Sequence, residues 1–222
     1  DLDVSTEKII TSGSLIKKWF HKKSRKNAKS LVLGGNSALN LVQEAGGKVV
    51  TVENFLAHQD DDIENIIICN QIGFPFIKTV DTLITYIFQR IESFTLPNLL
   101  LPNPDYIYPV SENHYGITSG SIALIIENAL DVRYPFQNIK FDYLGKPYPF
   151  IFREAQERLP NRTMVMIGDQ LLTDIKGAKL SGIDSALILT GINKSTPPIY
   201  ARGLRPNYLL ENLIFQENDL NR

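Results

Sequence analysis

MVMIGDQLLTDIKGA, residues 164–178, decides how the 222-residue chain is read. Four apolar residues, Met164 to Ile167, run into Gly168; Asp169 follows at once, and Asp174 comes five residues later as a helical pattern begins. The pattern is that of a strand delivering two carboxylates to the edge of a parallel sheet, where ligands of open α/β sheets bind. Gly168 is expected to give the backbone freedom to turn there. Asp174, near the start of the next helix, is favoured by the helix dipole. Two carboxylates on one rim suit a hard cation such as Mg²⁺, which takes oxygen ligands and keeps several waters. The plainer alternative has one Asp capping the helix and the other solvated.

Lys146 adds weight to the first reading. It lies in YLGKPYPFIF, residues 143–152, at a turn between a strand-like run and a helix. Pro147 suits a first helical position. A lysine so placed can reach over the sheet edge and offset the charge of a phosphate or of the carboxylates. Alone, it would be an ordinary surface lysine.

The rest of the chain alternates apolar runs with helix-period segments, which predicts an α/β layout with mostly parallel strands. Strands are expected at 30–33, 48–52, 65–69, 98–101, 163–167 and 185–189. Helices are expected from a Ser12 cap through Phe20, from an Asn36 or Ser37 cap to Gly46-Gly47, over 81–91, from Ser119 or Ser121 to Leu130, from the Gly145–Pro147 turn to about Leu159, and over 171–180. Residues 206–215 read as a short strand and a helical turn. The apolar stripe Leu83, Ile84, Ile87, Phe88 and Ile91 is core or an association face.

Composition narrows the partners. Apolar residues make up 43%, and 23 basic against 24 acidic residues give a net charge of −1. That balance offers no electrostatic case for nucleic acid or an anionic membrane. Seven basic residues between Lys17 and Lys29 are read as a solvated helix end and linker. The single cysteine, Cys69, excludes an intrachain disulfide and fits a reducing, cytoplasmic setting. No apolar run approaches the roughly 18–20 residues that cross a bilayer.

At Lys146, Asp169 and Asp174 the chain resembles the haloacid dehalogenase (HAD) superfamily of phosphatases, and within it the NagD-like type IIA subfamily. LGKPYPFIF is similar to the family's third motif, whose lysine falls on Lys146. MIGDQLLTDIKGAKLSGIDSALILTG resembles the fourth motif, whose metal-binding acids fall on Asp169 and Asp174; the first usually touches Mg²⁺ and the second acts through water or hydrogen bonds. LPNPDYIYPVSENHYGITSGSIALIIENAL resembles the subfamily's cap segment, making Asn103 and Asp105 candidates near the substrate. The alternative is a proline-bracketed turn in which both bond their own backbone. KIITSGSLIKKWF and SLVLGGNSALNLVQEAGGKVV resemble the lead into that cap.

The resemblance implies a Rossmann-like parallel-sheet core, incomplete at its N-terminus, with an inserted α/β cap domain. Residues 1–28 would be a core remnant leading into the cap, 29–142 the cap, and 143–222 the C-terminal half of the core. It implies a Mg²⁺-dependent phosphatase acting on a small phosphorylated metabolite through an aspartyl-phosphate, and it allows a homodimer. The attacking Asp belongs to a first motif, apolar strand–Asp-x-Asp-Gly. Asp1-Leu2-Asp3 copies its letters but has no preceding strand and no following glycine. Thr11-Ser12 is read as a helix cap and not as a phosphate-binding second motif. The nucleophile is therefore expected upstream, in a protein of about 300 residues, and the 222-residue chain by itself is expected to be inactive. The rival is a non-catalytic ligand-binding or interaction protein on a truncated HAD fold. A phosphoacceptor signalling domain fits less well, since those are small units without such a cap.

Overall fold

A computed structural model describes residues 4–24, 26–58, 62–111, 114–189 and 203–213. Asp1–Asp3, Arg25, Thr190-Gly191 and Ile214-Phe215, which figure in the expectations above, lie outside the described residues. The chain divides into two compact units, Asp1–Gly145 and Lys146–Arg222.

The first unit opens with helix α1 (Leu15–Lys23). Ser14, and not Ser12, holds the cap position, and it pairs with Thr11: the Ser14 amide donates to Thr11 Oγ1 at 3.1 Å, and the Thr11 amide donates to Ser14 Oγ at 3.1 Å. This reciprocal pair satisfies two amide donors otherwise orphaned at a helix start. Five parallel strands follow: β1 (Lys29–Leu33), β2 (Lys48–Thr51), β3 (Asn65–Ile68), β4 (Asn98–Leu101) and β7 (Asp142–Tyr143), in the order β2-β1-β3-β4-β7. Leu31 lies opposite Val50 on one side and Ile66 on the other. Every residue of β3 is buried, as expected where helices cover both faces of a parallel sheet.

Helices α2 (Asn36–Glu44), α3 (Val52–His58), α4 (Phe76–Glu92) and α5 (Ser119–Arg133) provide that cover. Asn36 is the first residue of α2, and Gly35 holds the cap position. Val52, expected to end β2, instead starts α3, because Val52 and Phe55 both turn inward at a helical spacing. Helix α4 begins five residues before the expected Asp81, directly after Pro75, which makes no amide donation that a helix could lose. Leu83 and Ile87 are buried in the core, while Ile84, Phe88 and Ile91 pack partly buried against it. Trp19 is buried, and its indole nitrogen donates to Asp142 Oδ2 at 2.8 Å, tying α1 to β7. An antiparallel hairpin, β5 (Ile107–Ser111) with β6 (His114–Ile117), sits between β4 and α5.

In the second unit, α6 (Pro149–Arg158) precedes the parallel strands β8 (Val165–Gly168), β9 (Asp184–Ile188) and β10 (Tyr208–Leu210), ordered β10-β9-β8. Helix α7 (Lys176–Leu180) connects β8 to β9. Met164 and Met166 pack against Phe152, Ala178 and Ile183. Alternation along β8 sends Val165 and Ile167 to the opposite face, where they are 49% and 44% exposed. Among the described residues β8 pairs only with β9, so its other edge carries a row of open backbone groups.

Candidate active site

The expected helix over 171–180 is two structures. Residues Leu171–Ile175 form a π-helical turn, and only Lys176–Leu180 are α-helical. The Gln170 carbonyl accepts both the Asp174 amide at 2.9 Å and the Ile175 amide at 3.3 Å. Asp174 lies at this turn and is 2% exposed.

Both oxygens of that carboxylate are engaged. Oδ1 receives Lys146 Nζ at 2.5 Å, and Oδ2 receives the Gln170 amide at 3.1 Å. A buried carboxylate needs such partners, since an unpaired charge there would cost on the order of several kcal/mol. The Lys146 side chain is 39% exposed, so its head neutralises Asp174 while part of it faces solvent. The lysine precedes a cis peptide to Pro147. Pro147 does not open the helix as the sequence suggested: Tyr148 is the cap, and Pro149 takes the first turn, where its fixed φ costs nothing.

Gly168 has a different use from the expected one. Its φ is not in the left-handed region. What matters is space: a Cβ on Gly168 would overlap the Asp174 carboxylate and lie 2.6 Å from Asp174 Cβ. Asp169 follows it, half-buried at the strand mouth. Lys146 and Asp174 are therefore paired directly, with Asp169 one residue beyond the glycine on which Asp174 rests.

Asn103 and Asp105 belong to the loop after β4, in the first unit. Asn103 Oδ1 accepts the Asp105 amide at 3.2 Å, closing a side-chain-to-backbone turn. The Asn103 carbonyl accepts Ser119 Oγ at 2.8 Å. The Asp105 carbonyl accepts Thr118 Oγ1 and the Gly120 amide. The loop is thus held on the start of α5.

Two residues of the site escaped sequence reasoning. Gln170 and Thr173 join side chain to side chain, Thr173 Oγ1 donating to Gln170 Oε1 at 3.1 Å. Their signal in the sequence is a hydrogen-bonding pair three residues apart at a helix start. Among the described residues no three or more His, Cys, Asp or Glu side chains gather as a metal cage. The two aspartates fit Mg²⁺ as hard oxygen donors, and as part of a coordination sphere.

Comparison with known proteins agrees with this architecture. Residues 143–214 match the HAD-hydrolase-like family. D-glycerol 3-phosphate phosphatase of Mycobacterium tuberculosis is 40% identical over 70 residues, 31% of this chain and 20% of that protein. Ribonucleotide monophosphatase NagD of Escherichia coli K12 is 33% identical over 69 residues, 30% of this chain and 27% of NagD. The chain thus matches about a fifth to a quarter of these relatives' lengths. A hypothetical protein of Pyrococcus horikoshii superposes with a TM-score of 0.77 at 24% identity, over 95% of this chain and 74% of that one. The M. tuberculosis glycerol phosphate phosphatase in complex with magnesium superposes with a TM-score of 0.70 at 22% identity, over 94% of this chain and 57% of its own. Residues 143–214 thus match the HAD-hydrolase-like family, and the fold over nearly the whole chain is that of the NagD-like structures on which it superposes.

Proposed function

We propose that this chain supplies the metal-holding half of a phosphatase site that hydrolyses a small phosphomonoester. The observation that carries the reading is the Lys146–Asp174 pair of 2.5 Å, set against Gly168 at the mouth of β8. Asp169 would hold Mg²⁺ directly, with Asp174 behind it. When bound, the ion polarises the phosphoryl group and offsets its charge. Lys146 keeps the carboxylates and the phosphate from repelling one another. A carboxylate from outside the described residues would attack phosphorus and expel the alcohol, leaving an aspartyl-phosphate that water then hydrolyses to inorganic phosphate. The open edge of β8 supports a further strand there, because a strand laid parallel to β8 ends beside Asp169. The M. tuberculosis and E. coli relatives act on glycerol phosphate and ribonucleotides, which supports a small phosphorylated metabolite as substrate.

The test is p-nitrophenyl phosphate hydrolysis by a polypeptide spanning the full length of the relatives, with Mg²⁺ and with chelator. Activity lost on chelation and in Asp169→Ala is expected. Activity indifferent to both would refute the mechanism. The 222-residue chain by itself should turn over nothing.

A further inference from the structure

The turn between Gln170 and Ile175 has the logic of a capping box stretched by one residue. In an ordinary box the side chain three residues after the cap reaches back to the cap amide. Here Gln170 is the cap, with extended backbone at φ −116° and ψ 117°. The residue three on is Thr173, yet the Gln170 amide is taken by Asp174, four residues on. Thr173 is occupied elsewhere, donating its hydroxyl to the Gln170 side chain. The extra residue is absorbed by the π turn, whose widening amounts to about one residue of rotation, ~100°. Leu172 lies 56% exposed in that turn and contributes no core packing there.

We infer that Gln170 and Thr173 are positioning residues for Asp174, their side-chain bond leaving the Gln170 amide to the Asp174 carboxylate and so holding it against Gly168 and Lys146. The Gln170–Thr173 side-chain bond keeps the residue at the ordinary box position from claiming the cap amide, so the amide is left for Asp174. With the Gln170 amide claimed by residue 173, Asp174 Oδ2 would lose the backbone donor that holds it in its buried site. The consequence for the metal rests on the function proposed above, whereas the placement of the carboxylate does not.

Thr173→Gln tests this, because glutamine is a capping-box residue and brings no charge. A crystal structure of the variant should show the introduced side chain on the Gln170 amide in place of Asp174 Oδ2. Mn²⁺ titration, followed by paramagnetic broadening of the Asp169 and Asp174 amide resonances, should need about tenfold more metal than the parent chain. Thr173→Ser, which keeps the hydroxyl, should match the parent in both measurements. A Thr173→Gln protein that keeps Asp174 on the Gln170 amide overturns the inference. So does a Thr173→Ser protein as altered as Thr173→Gln. Parent chain that shows no Mn²⁺ broadening at any concentration counts against the proposed metal site, while the crystallographic comparison still decides what holds Asp174.

Discussion

Gly168→Ala isolates the close approach on which the site depends. Its φ lies outside the left-handed region, so alanine meets no backbone strain. On that ground alone the substitution should stabilise the chain by about 0.4–1 kcal/mol through the unfolded state. Packing reverses the sign. The new Cβ would overlap the Asp174 carboxylate and sit 2.6 Å from Asp174 Cβ, so Asp174 must move. Overpacking costs about 1–3 kcal/mol. Moving the carboxylate also breaks the Gln170 amide bond, a charged hydrogen bond of about 1.5–3 kcal/mol. The net is a loss of about 3 kcal/mol from the second unit. The chain has two methionines, Met164 and Met166, and both flank or occupy β8. Their ¹³C-labelled methyl signals follow that unit through a urea titration. The single tryptophan, Trp19, follows the first unit by fluorescence. A Gly168→Ala chain whose methionine transition stays within about 0.5 kcal/mol of the parent would refute the packing argument.

Lys146→Met leaves Asp174 2% exposed beside a neutral chain, with the Gln170 amide as its remaining partner here. Removing one partner of a fully buried pair costs about 3–5 kcal/mol, and partial exposure of the lysine lowers this to about 1–3 kcal/mol, read by the methionine transition. Burial pushes the Cys69 thiol up from 9.0 to about 12. Near pH 8 its thiolate should therefore be about a thousandfold scarcer than in the unfolded chain, and native protein should react with a disulfide reagent correspondingly slowly. The same shift means that stability is fully present below pH 9 and falls as pH rises towards 12, because only the unfolded thiol ionises there. Gly120→Ala would place a Cβ 2.7 Å from the Pro104 carbonyl carbon and against the Asp105 oxygen. It should cost about 2 kcal/mol in the tryptophan transition by displacing the loop that carries Asn103 and Asp105.

The legible parts of the fold were those where one physical cause acts alone. Asn65–Ile68 reads as a strand because three isoleucines are buried on both faces. Lys146, Asp169 and Asp174 stood out because charge at a strand mouth has few uses. The misreadings are places where two causes compete. Val52 continues a β-branched run, but the inward spacing of Val52 and Phe55 makes it a helix start. The β5–β6 hairpin has no alternation to read, because Ile107, Tyr108, Val110, Tyr115 and Ile117 are exposed on both of its faces. The π turn kept the apolar spacing of an α-helix, so its register was set by hydrogen bonds of Gln170 that no hydropathy pattern records. Pro147 and Pro149 both suit a helix start, and only the turn before them assigns Pro149 to it.

The lysine also separates folding from metal binding. Many small metal sites fold only when loaded, since their carboxylates repel one another without the cation. Here the Lys146 ammonium lies 2.5 Å from Asp174 and supplies that positive charge permanently. Asp174 can then stay buried with no ion present, and the site is preformed. In the site proposed above, two aspartates alone, one of them already engaged on both oxygens, would hold Mg²⁺ weakly. With a dissociation constant of about 10 mM, a Mg²⁺ concentration of about 10 mM adds only about 0.4 kcal/mol by mass action. The methionine transition of the 222-residue chain should therefore be nearly the same in Mg²⁺ and in chelator. A stabilisation of about 2 kcal/mol or more would mean that the chain completes a tight metal site from its own residues, and the case for a carboxylate supplied beside β8 would fall with it.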